Sequence, residues 1–134
     1  MTEPSTPPSL DSALAVRRVG KTTMVHICDL TAPDRVILMS ARCWVDWKAE
    51  VMEDLFRPHR DGDQITIEIV DRAVGKATQR LFTTEVAYRA FQSAAKTGRF
   101  DGLAPVPYGQ KHGPWIWAGG VLQEAEAKAM HGAA

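Results

Sequence analysis

The stretch QITIEIVDRAVGKATQRLF, residues 64–82, decides the fold class of this chain. Three isoleucines alternate with mostly polar residues in its first half, and a period of two is typical of a strand with one buried face. We therefore predict a strand over residues 64–72, with Ile65, Ile67 and Ile69 pointing to the core. Val74-Gly75-Lys76 then predicts a turn, and residues 76–82 predict a returning strand.

A shorter version of this pattern occurs earlier, at Arg18-Val19-Gly20-Lys21-Thr22-Thr23. It lies between two stretches rich in β-branched and apolar residues, which we predict to be strands at residues 13–19 and 22–30. Gly-Lys-Thr also ends the phosphate-binding loop of nucleotide hydrolases, but that loop needs an earlier glycine and a helix after its threonine. Ala15 stands at the earlier position and a strand pattern follows the threonine. The motif therefore predicts a hairpin in which Gly20 takes a positive φ.

The other segments complete an α+β pattern. We predict a third strand at Arg35–Ala41, a helix over Trp44–Arg57, a second helix from Thr83 or Thr84 to Gly98, a short strand at Trp115–Trp117 and a helical segment at Val121–His131. Apolar residues fall on one side of each long helix: Trp44, Trp47, Val51 and Leu55 on the first, and Ala87, Tyr88, Phe91, Ala94 and Ala95 on the second. The sequence thus predicts an antiparallel sheet of five or six strands with two principal helices packed on one face, in the order βββαββα followed by a short β-α segment.

Composition indicates an ordinary globular protein. The 134 residues carry sixteen basic and sixteen acidic side chains, and this balance removes the overall attraction that usually accompanies nucleic-acid binding. We predict a flexible proline-rich tail at residues 1–11 and a single domain at residues 12–134. Cys28 and Cys43 form no paired motif, and no stretch is apolar enough to span a membrane, which together favour a cytoplasmic location without membrane association.

An acidic stripe runs along the exposed side of the predicted first helix. It consists of Asp46, Glu50, Glu53 and Asp54. Such a stripe is ordinarily a solvated helix face, but it is also a surface that can dock electrostatically on a basic protein. It is therefore the first candidate for binding a partner protein.

A second candidate surface follows the glycine- and proline-rich loop over residues 101–114. Trp115 and Trp117 would project from one face of a short strand, close in sequence to Tyr108, Lys111 and His112. Flat rings combined with a cation and polar tips suit recognition of a partner. The two tryptophans fit a strand that closes the core equally well, and the sequence leaves that choice open.

Basic residues near the two predicted turns form a third candidate surface. They are Arg18, Lys21, Arg72, Lys76 and Arg80. If the turns lie side by side, these side chains would form a basic edge for nucleic-acid phosphates, with bases stacking on the face of Trp115 and Trp117. The sequence does not place the two turns together.

Catalytic and metal-binding patterns are weaker than their structural alternatives. Cys43 lies near a predicted helix N-terminus, which can lower the pKa of a thiol, but no spacing designates a base to activate it. His26 and Cys28 share one strand face, yet they lack the paired spacing of a zinc site. Asp61-Gly62-Asp63 lacks the later ligands of a calcium loop. We therefore predict no catalytic residues, no metal and no cofactor.

These observations favour a small non-enzymatic protein that binds another macromolecule, as a protein-interaction adaptor or inhibitor. A nucleic-acid-binding module is one alternative. A small enzyme or ligand-binding domain around Tyr108 and His112, together with Cys43, is another. No motif in the chain identifies a family, a particular partner or an oligomeric state.

Overall fold

The computed structural model describes residues 13–20, 23–32, 35–75, 78–103, 106 and 108–122. Three sequence predictions fall outside these residues. They are the proline-rich tail at residues 1–11, the positions of Lys21 and Lys76, and the part of the C-terminal helix that follows Leu122.

Strands and helices follow one another largely as the sequence predicts. In chain order they are β1 Leu14–Arg18, β2 Val25–Asp29, β3 Ile37–Met39, α1 Ala41–Met52, β4 His59–Asp61, β5 Gln64–Ile69, β6 Gln79–Thr84, α2 Glu85–Lys96, β7 Trp115–Trp117 and β8 Gly120–Leu122, with a short 3-10 helix at Arg72–Val74. β8 occupies the start of the segment predicted as a C-terminal helix. It pairs with β7, which fixes it as a strand.

The strands form two antiparallel sheets. The larger has the order β3-β2-β1-β7-β8, and the smaller has the order β4-β5-β6. The α+β class and the packing of both helices into one core are confirmed. The division into two sheets goes beyond the single sheet predicted, because alternation shows which residues face the core but not which strands pair.

Both glycine-containing turns join antiparallel neighbours. β1 pairs with β2, and Gly20 takes a φ of 55°, as predicted. β5 pairs with β6, and the longer connection between them contains the 3-10 helix, which is followed by Gly75 with a φ of 69°. Asp71 begins that helix, because its side chain accepts a 3.0 Å hydrogen bond from the N–H of Ala73.

The main core lies between the two sheets and the two helices. Ile65, Ile67 and Ile69 belong to it, which confirms the predicted inward face of β5. The predicted apolar face of α2 is also buried, but so is Gln92, which the helical pattern places on the solvent side. Gln92 Nε2 donates a 2.8 Å hydrogen bond to the C=O of Val51. This bond satisfies both the buried amide and one of the last carbonyls of α1.

The larger sheet also buries its other face. Ala15, Cys28 and Trp115 belong to a second apolar cluster there, and Trp115 is 2% exposed. The guanidinium carbon of Arg17 lies 4.2 Å from the centroid of the Trp115 ring. Trp117 packs against the same cluster and is half-buried. The choice that the sequence leaves open is thus decided for Trp115, which is a core residue.

α1 ends at Met52, earlier than the helical pattern predicts. Asp54 takes a left-handed φ of 58°, and its N–H donates to the C=O of Val51 at 3.1 Å. The N–H of Leu55 donates to the C=O of Glu50 at 2.8 Å. This pair of bonds is the helix-ending arrangement that usually contains a glycine. The reversal leaves Leu55 62% exposed, although the helical wheel predicts it in the core.

Polar contacts join the two sheets. The Gln79 side chain accepts a 2.9 Å hydrogen bond from the N–H of Leu38 and donates one of 2.8 Å to the C=O of Leu38. The outer edge of β3 is therefore paired by a side-chain amide instead of by another strand. Thr83 Oγ1 donates a 2.6 Å hydrogen bond to the buried carboxylate of Asp29 on β2. Together these contacts fix β6 against β2 and β3.

Candidate functional site

A cleft of about 450 Å³ has α1 on one side and, on the other, β5 together with the segment that follows β5. We call it the α1–β5 cleft. Its lining consists of Ser40, Arg42, Cys43, Asp46, Trp47, Glu50, Phe56 and residues 68–73. The volume falls in the range of known ligand sites. The lining combines charged groups, aromatic rings and a strand edge, which makes the cleft the candidate functional site.

Asp71 holds the two walls of the cleft together. One oxygen of its carboxylate accepts a 2.7 Å hydrogen bond from the N–H of Ser40, at the start of α1, and the other accepts from Ala73 on its own segment. Ser40 caps α1, because its Oγ accepts from the N–H of Cys43. Burial raises the pKa of the Asp71 carboxyl, but these hydrogen bonds outweigh burial and hold the pKa below its usual value. Asp71 is therefore an ionised group with a structural role.

The thiol of Cys43 is not activated by its place near the start of α1. Burial, followed by the neighbouring carboxylate of Asp71, raises the pKa of the Cys43 thiol from 9.0 to about 11. A catalytic cysteine needs a lowered pKa, because the thiolate is the nucleophile. The cleft therefore gives no support to thiol catalysis.

Acidic side chains outnumber basic ones in the cleft. Asp46 and Glu50 project from α1 one turn apart, and Glu68 lies on the opposite wall. Asp46 lies 3.9 Å from Arg42 Nε, and Glu68 pairs with Arg80. About half or more of each of these four side chains is exposed. Among the described residues, no ion pair engages Glu50. Exposed pairs are weak, so the carboxylates are accessible to other cations.

The predicted acidic stripe is divided by the structure. Its first two members belong to the cleft, but Glu53 and Asp54 do not line it. Glu53 follows the last turn of α1 and is exposed. Asp54 lies 3.8 Å from Nη1 of Arg89, on α2. Glu68, which the sequence analysis did not select, takes their place in the cleft. Its sequence signal was limited to a position on the exposed side of β5.

Aromatic rings form the apolar wall of the cleft. The ring centroids of Trp47 and Phe56 lie 5.6 Å apart in an edge-to-face arrangement. Trp47 is 4% exposed and packs in the main core with Trp44, which confirms the predicted apolar side of the first helix at these two positions. Within the described part of the chain, Trp47 Nε1 is buried without a hydrogen-bond partner. Apart from this N–H group, the rings present an apolar wall.

β5 has an open edge at the cleft. β4 covers only residues 64–66 of β5, because its first residue is His59. The residue before it, Pro58, is buried and takes no part in the pairing with β5. Glu68 and Val70 continue the alternation toward the side that β4 leaves open. No described residue makes a backbone hydrogen bond to Val70.

The loop residues predicted as a second contact surface lie beside the first hairpin. The C=O of Lys111 accepts a 2.7 Å hydrogen bond from the turn after β1, and His112 forms an isolated bridge to the same turn. Tyr108 is fully exposed, and His112 and Trp117 are half-buried. The contact and base-stacking roles predicted for Trp115 are corrected, because its buried ring cannot reach a partner at the surface.

The two glycine-containing turns lie at the same end of the protein. Arg18, at the end of β1, pairs with Val25 of β2, and Val25 in turn pairs with Met39 at the end of β3. The next residue, Ser40, bonds to Asp71, which immediately precedes Arg72. Neighbouring strands are about 5 Å apart, so Arg18 and Arg72 belong to one end of the molecule.

The remaining predicted basic residues do not extend this group. Arg80 lies within β6 and pairs with Glu68 on the exposed face of the smaller sheet. Lys21 and Lys76 lie outside the described residues. The described part of the proposed basic edge therefore reduces to Arg18 and Arg72, with Arg42 exposed in the first turn of α1.

Metal ligands do not assemble in the residues that the structure describes. No group of three or more His, Cys, Asp or Glu side chains is placed to hold an ion there. His26 accepts a 3.3 Å hydrogen bond at Nδ1 from Nε of Arg17, and Cys28 is fully buried. Both cysteines are free thiols.

No protein-family model, curated protein or solved structure matches this chain. None of the described helices is long and apolar enough to cross a membrane. The geometry and charge of the α1–β5 cleft are therefore the basis for a functional proposal.

Proposed function

We propose that this protein is a non-enzymatic protein-interaction module, an adaptor or inhibitor, that holds a basic segment of a partner protein in the α1–β5 cleft. One observation carries the proposal: Asp46, Glu50 and Glu68 surround a cleft whose apolar wall includes the half-buried ring of Phe56, which packs against the buried Trp47. Lysine and arginine combine an apolar stem with a charged end. Both parts of such a side chain find a complement in this cleft.

Charge exchange supports the same proposal. The ion pairs of Asp46 with Arg42 and of Glu68 with Arg80 are exposed, so a cation of the partner can replace the internal one at little net cost. Glu50 needs no exchange, since no described ion pair engages it. Binding of this kind depends on electrostatic attraction and weakens as salt is added.

Affinity purification from the native host tests the proposal with two matched variants. Glu50→Lys reverses a charge in the cleft, and Glu53→Lys reverses a charge on the same helix outside it. We expect the wild type and Glu53→Lys to recover the same partner, and Glu50→Lys to recover at least about ten-fold less, because the variant places like charges against a basic segment.

Both variants are at exposed positions, so circular dichroism and thermal unfolding should match the wild type to within about 0.5 kcal/mol. Equal recovery by a folded Glu50→Lys variant would remove the cleft from the proposal. An equal loss with both variants would indicate general electrostatic attraction in place of a defined site.

Nucleic-acid binding is a second candidate, favoured because the two glycine-containing turns lie at the same end of the protein. Arg18 and Arg72 lie at that end, and the exposed Arg42 lies there too, in the first turn of α1. Phosphate contacts there would weaken strongly with salt. Binding of single- or double-stranded DNA or RNA at low salt, lost in Arg18→Ala and Arg72→Ala, would favour this candidate. Its complete absence at low salt would eliminate the candidate.

An enzyme or ligand-binding domain is a third candidate. The raised pKa of the Cys43 thiol, about 11, weighs against thiol chemistry.

A cytoplasmic location remains part of the proposal. The free thiols of Cys28 and Cys43 support a reducing compartment. Fluorescence microscopy of the tagged chain in its native host tests the location, and a secreted or membrane-bound signal would contradict it.

A further inference from the structure

The open edge of β5 is a main-chain binding element that the acidic side chains alone do not explain. Val70 is 64% exposed, and its N–H and C=O make no backbone hydrogen bond to any described residue. Strand alternation directs the main-chain groups of Glu68 to the same side. Unpaired groups along a strand edge are a template for an additional strand from another chain.

The side-chain surroundings of that edge suit a basic segment. A strand beside residues 68–70 would place its side chains alternately on the two faces of the smaller sheet. Those on the inner face would enter the cleft beside Ile69, where the exposed Glu50 and the half-buried Phe56 line it. Those on the outer face would lie next to Glu68. Each face therefore offers a carboxylate to a cationic side chain.

Charge also argues against other occupants of the edge. A second copy of this chain paired through the same edge would bring two Glu68 side chains together, and like charges on neighbouring strands destabilise the pairing. An anionic polymer would meet the same carboxylates. Charge complementarity thus selects a cationic polypeptide.

We propose that the partner segment binds in an extended conformation and adds a strand to the smaller sheet along residues 68–70, with lysine or arginine at alternate positions. This inference rests on the proposed function and adds the conformation of the partner and its main-chain recognition. Hydrogen bonds with Glu68 and Val70 would align the segment, while Glu50 and Glu68 select its charge.

Synthetic peptides separate main-chain recognition from charge. The probe is a nine-residue peptide of alternating lysine and threonine, and its matched control carries N-methyl groups on the three central amides. Both peptides have the same charge and side chains, but the control cannot donate the central hydrogen bonds. We expect the control to bind about ten-fold more weakly, or worse, at low salt by NMR titration. We also expect the probe to slow hydrogen exchange at the Val70 amide about ten-fold.

The outcomes distinguish this inference from the proposed function. Equal binding by the two peptides, with no protection at Val70, would overturn strand addition and leave the basic-segment function standing. No binding by either peptide at millimolar concentration would overturn both. Self-association of the protein that the probe cannot displace would assign the edge to a second copy and overturn the inference.

A protein variant gives an independent readout. Val70→Pro removes the N–H of an exposed residue that bonds to no described backbone group, and Val70→Thr is its matched control. We expect only the proline variant to lose affinity for the unmethylated probe. Unchanged binding by a folded Val70→Pro variant would contradict the inference. If that variant does not fold, the N-methyl comparison still decides.

Discussion

Gln79→Met tests how the two sheets are joined. The substitution keeps the length of the side chain but removes its 2.9 Å and 2.8 Å hydrogen bonds with the N–H and C=O of Leu38. Leu38 lies in an edge strand, so no neighbouring strand takes over these groups. Each bond contributes about 0.5–1.5 kcal/mol to folding, and at this half-buried site we expect the two together to contribute about 2 kcal/mol. For a domain of this size we expect the melting temperature to fall by roughly 6–10 °C.

Hydrogen exchange localises the effect. The Val16 amide, in the central strand β1, reports global unfolding. In Gln79→Met the loss of exchange protection should be at least about ten-fold larger at the Leu38 amide than at the Val16 amide. A Leu38 amide that stays protected, or a variant within about 0.5 kcal/mol of the wild type by urea denaturation, would refute the assigned role of Gln79.

Gln79→Glu adds a pH dependence with a definite sign. Near neutral pH the introduced carboxylate can accept from the N–H of Leu38 but repels its C=O, whereas the protonated acid can both accept and donate. The folded state therefore raises the pKa of the introduced group above its unfolded value of about 4.3. The stabilising protonated form is fully present below that value and is lost as pH rises through the folded pKa. The deficit relative to the wild type should shrink between pH 7 and pH 4.

Two further predictions concern the cleft and the last hairpin. Asp71→Asn should destabilise the protein by about 1–2 kcal/mol at pH 7. The folded protein lowers the pKa of Asp71. The difference in stability between the wild type and Asp71→Asn should therefore be complete above about pH 3.8 and should disappear as the pH falls through the lower, folded-state pKa. The same variant should lower the pKa of the Cys43 thiol, followed through the pH dependence of its alkylation, but only partly, since burial is a larger cause of the raised pKa than Asp71. Gly119→Ala would place a Cβ in steric overlap with the ring of Trp117 and should cost about 1–3 kcal/mol by urea denaturation, whereas Gly120→Ala, with its nearest atom at 3.7 Å, should cost clearly less.

Local patterns predicted much of the fold. The period of two in β5 placed Ile65, Ile67 and Ile69 in the core, because alternation needs only the geometry of one strand. Thr84 caps α2, where the sequence offered Thr83 or Thr84, because a cap depends on residues one turn apart. The end of α1 was missed, since its left-handed residue is Asp54 and not the glycine that marks such an end.

The candidate site was predicted only in part. The sequence selected Asp46 and Glu50 as an exposed acidic surface, and both line the cleft. It did not select Glu68, because an exposed glutamate on a strand has no local signal of what lies opposite. It also left Trp115 between core and surface, since a short apolar strand fits both positions.

The sequence by itself determined the α+β class, the inward faces of β5 and α2, and the neutral overall charge, because each depends on composition or on neighbours within a turn. The tertiary structure decided the division into two sheets and the α1–β5 cleft. The contacts responsible join residues far apart in the chain: Leu38 and Gln79 are separated by 41 positions, and Ser40 and Asp71 by 31. No local period encodes such pairings, because they form only when the packed elements bring those polar groups within hydrogen-bond distance.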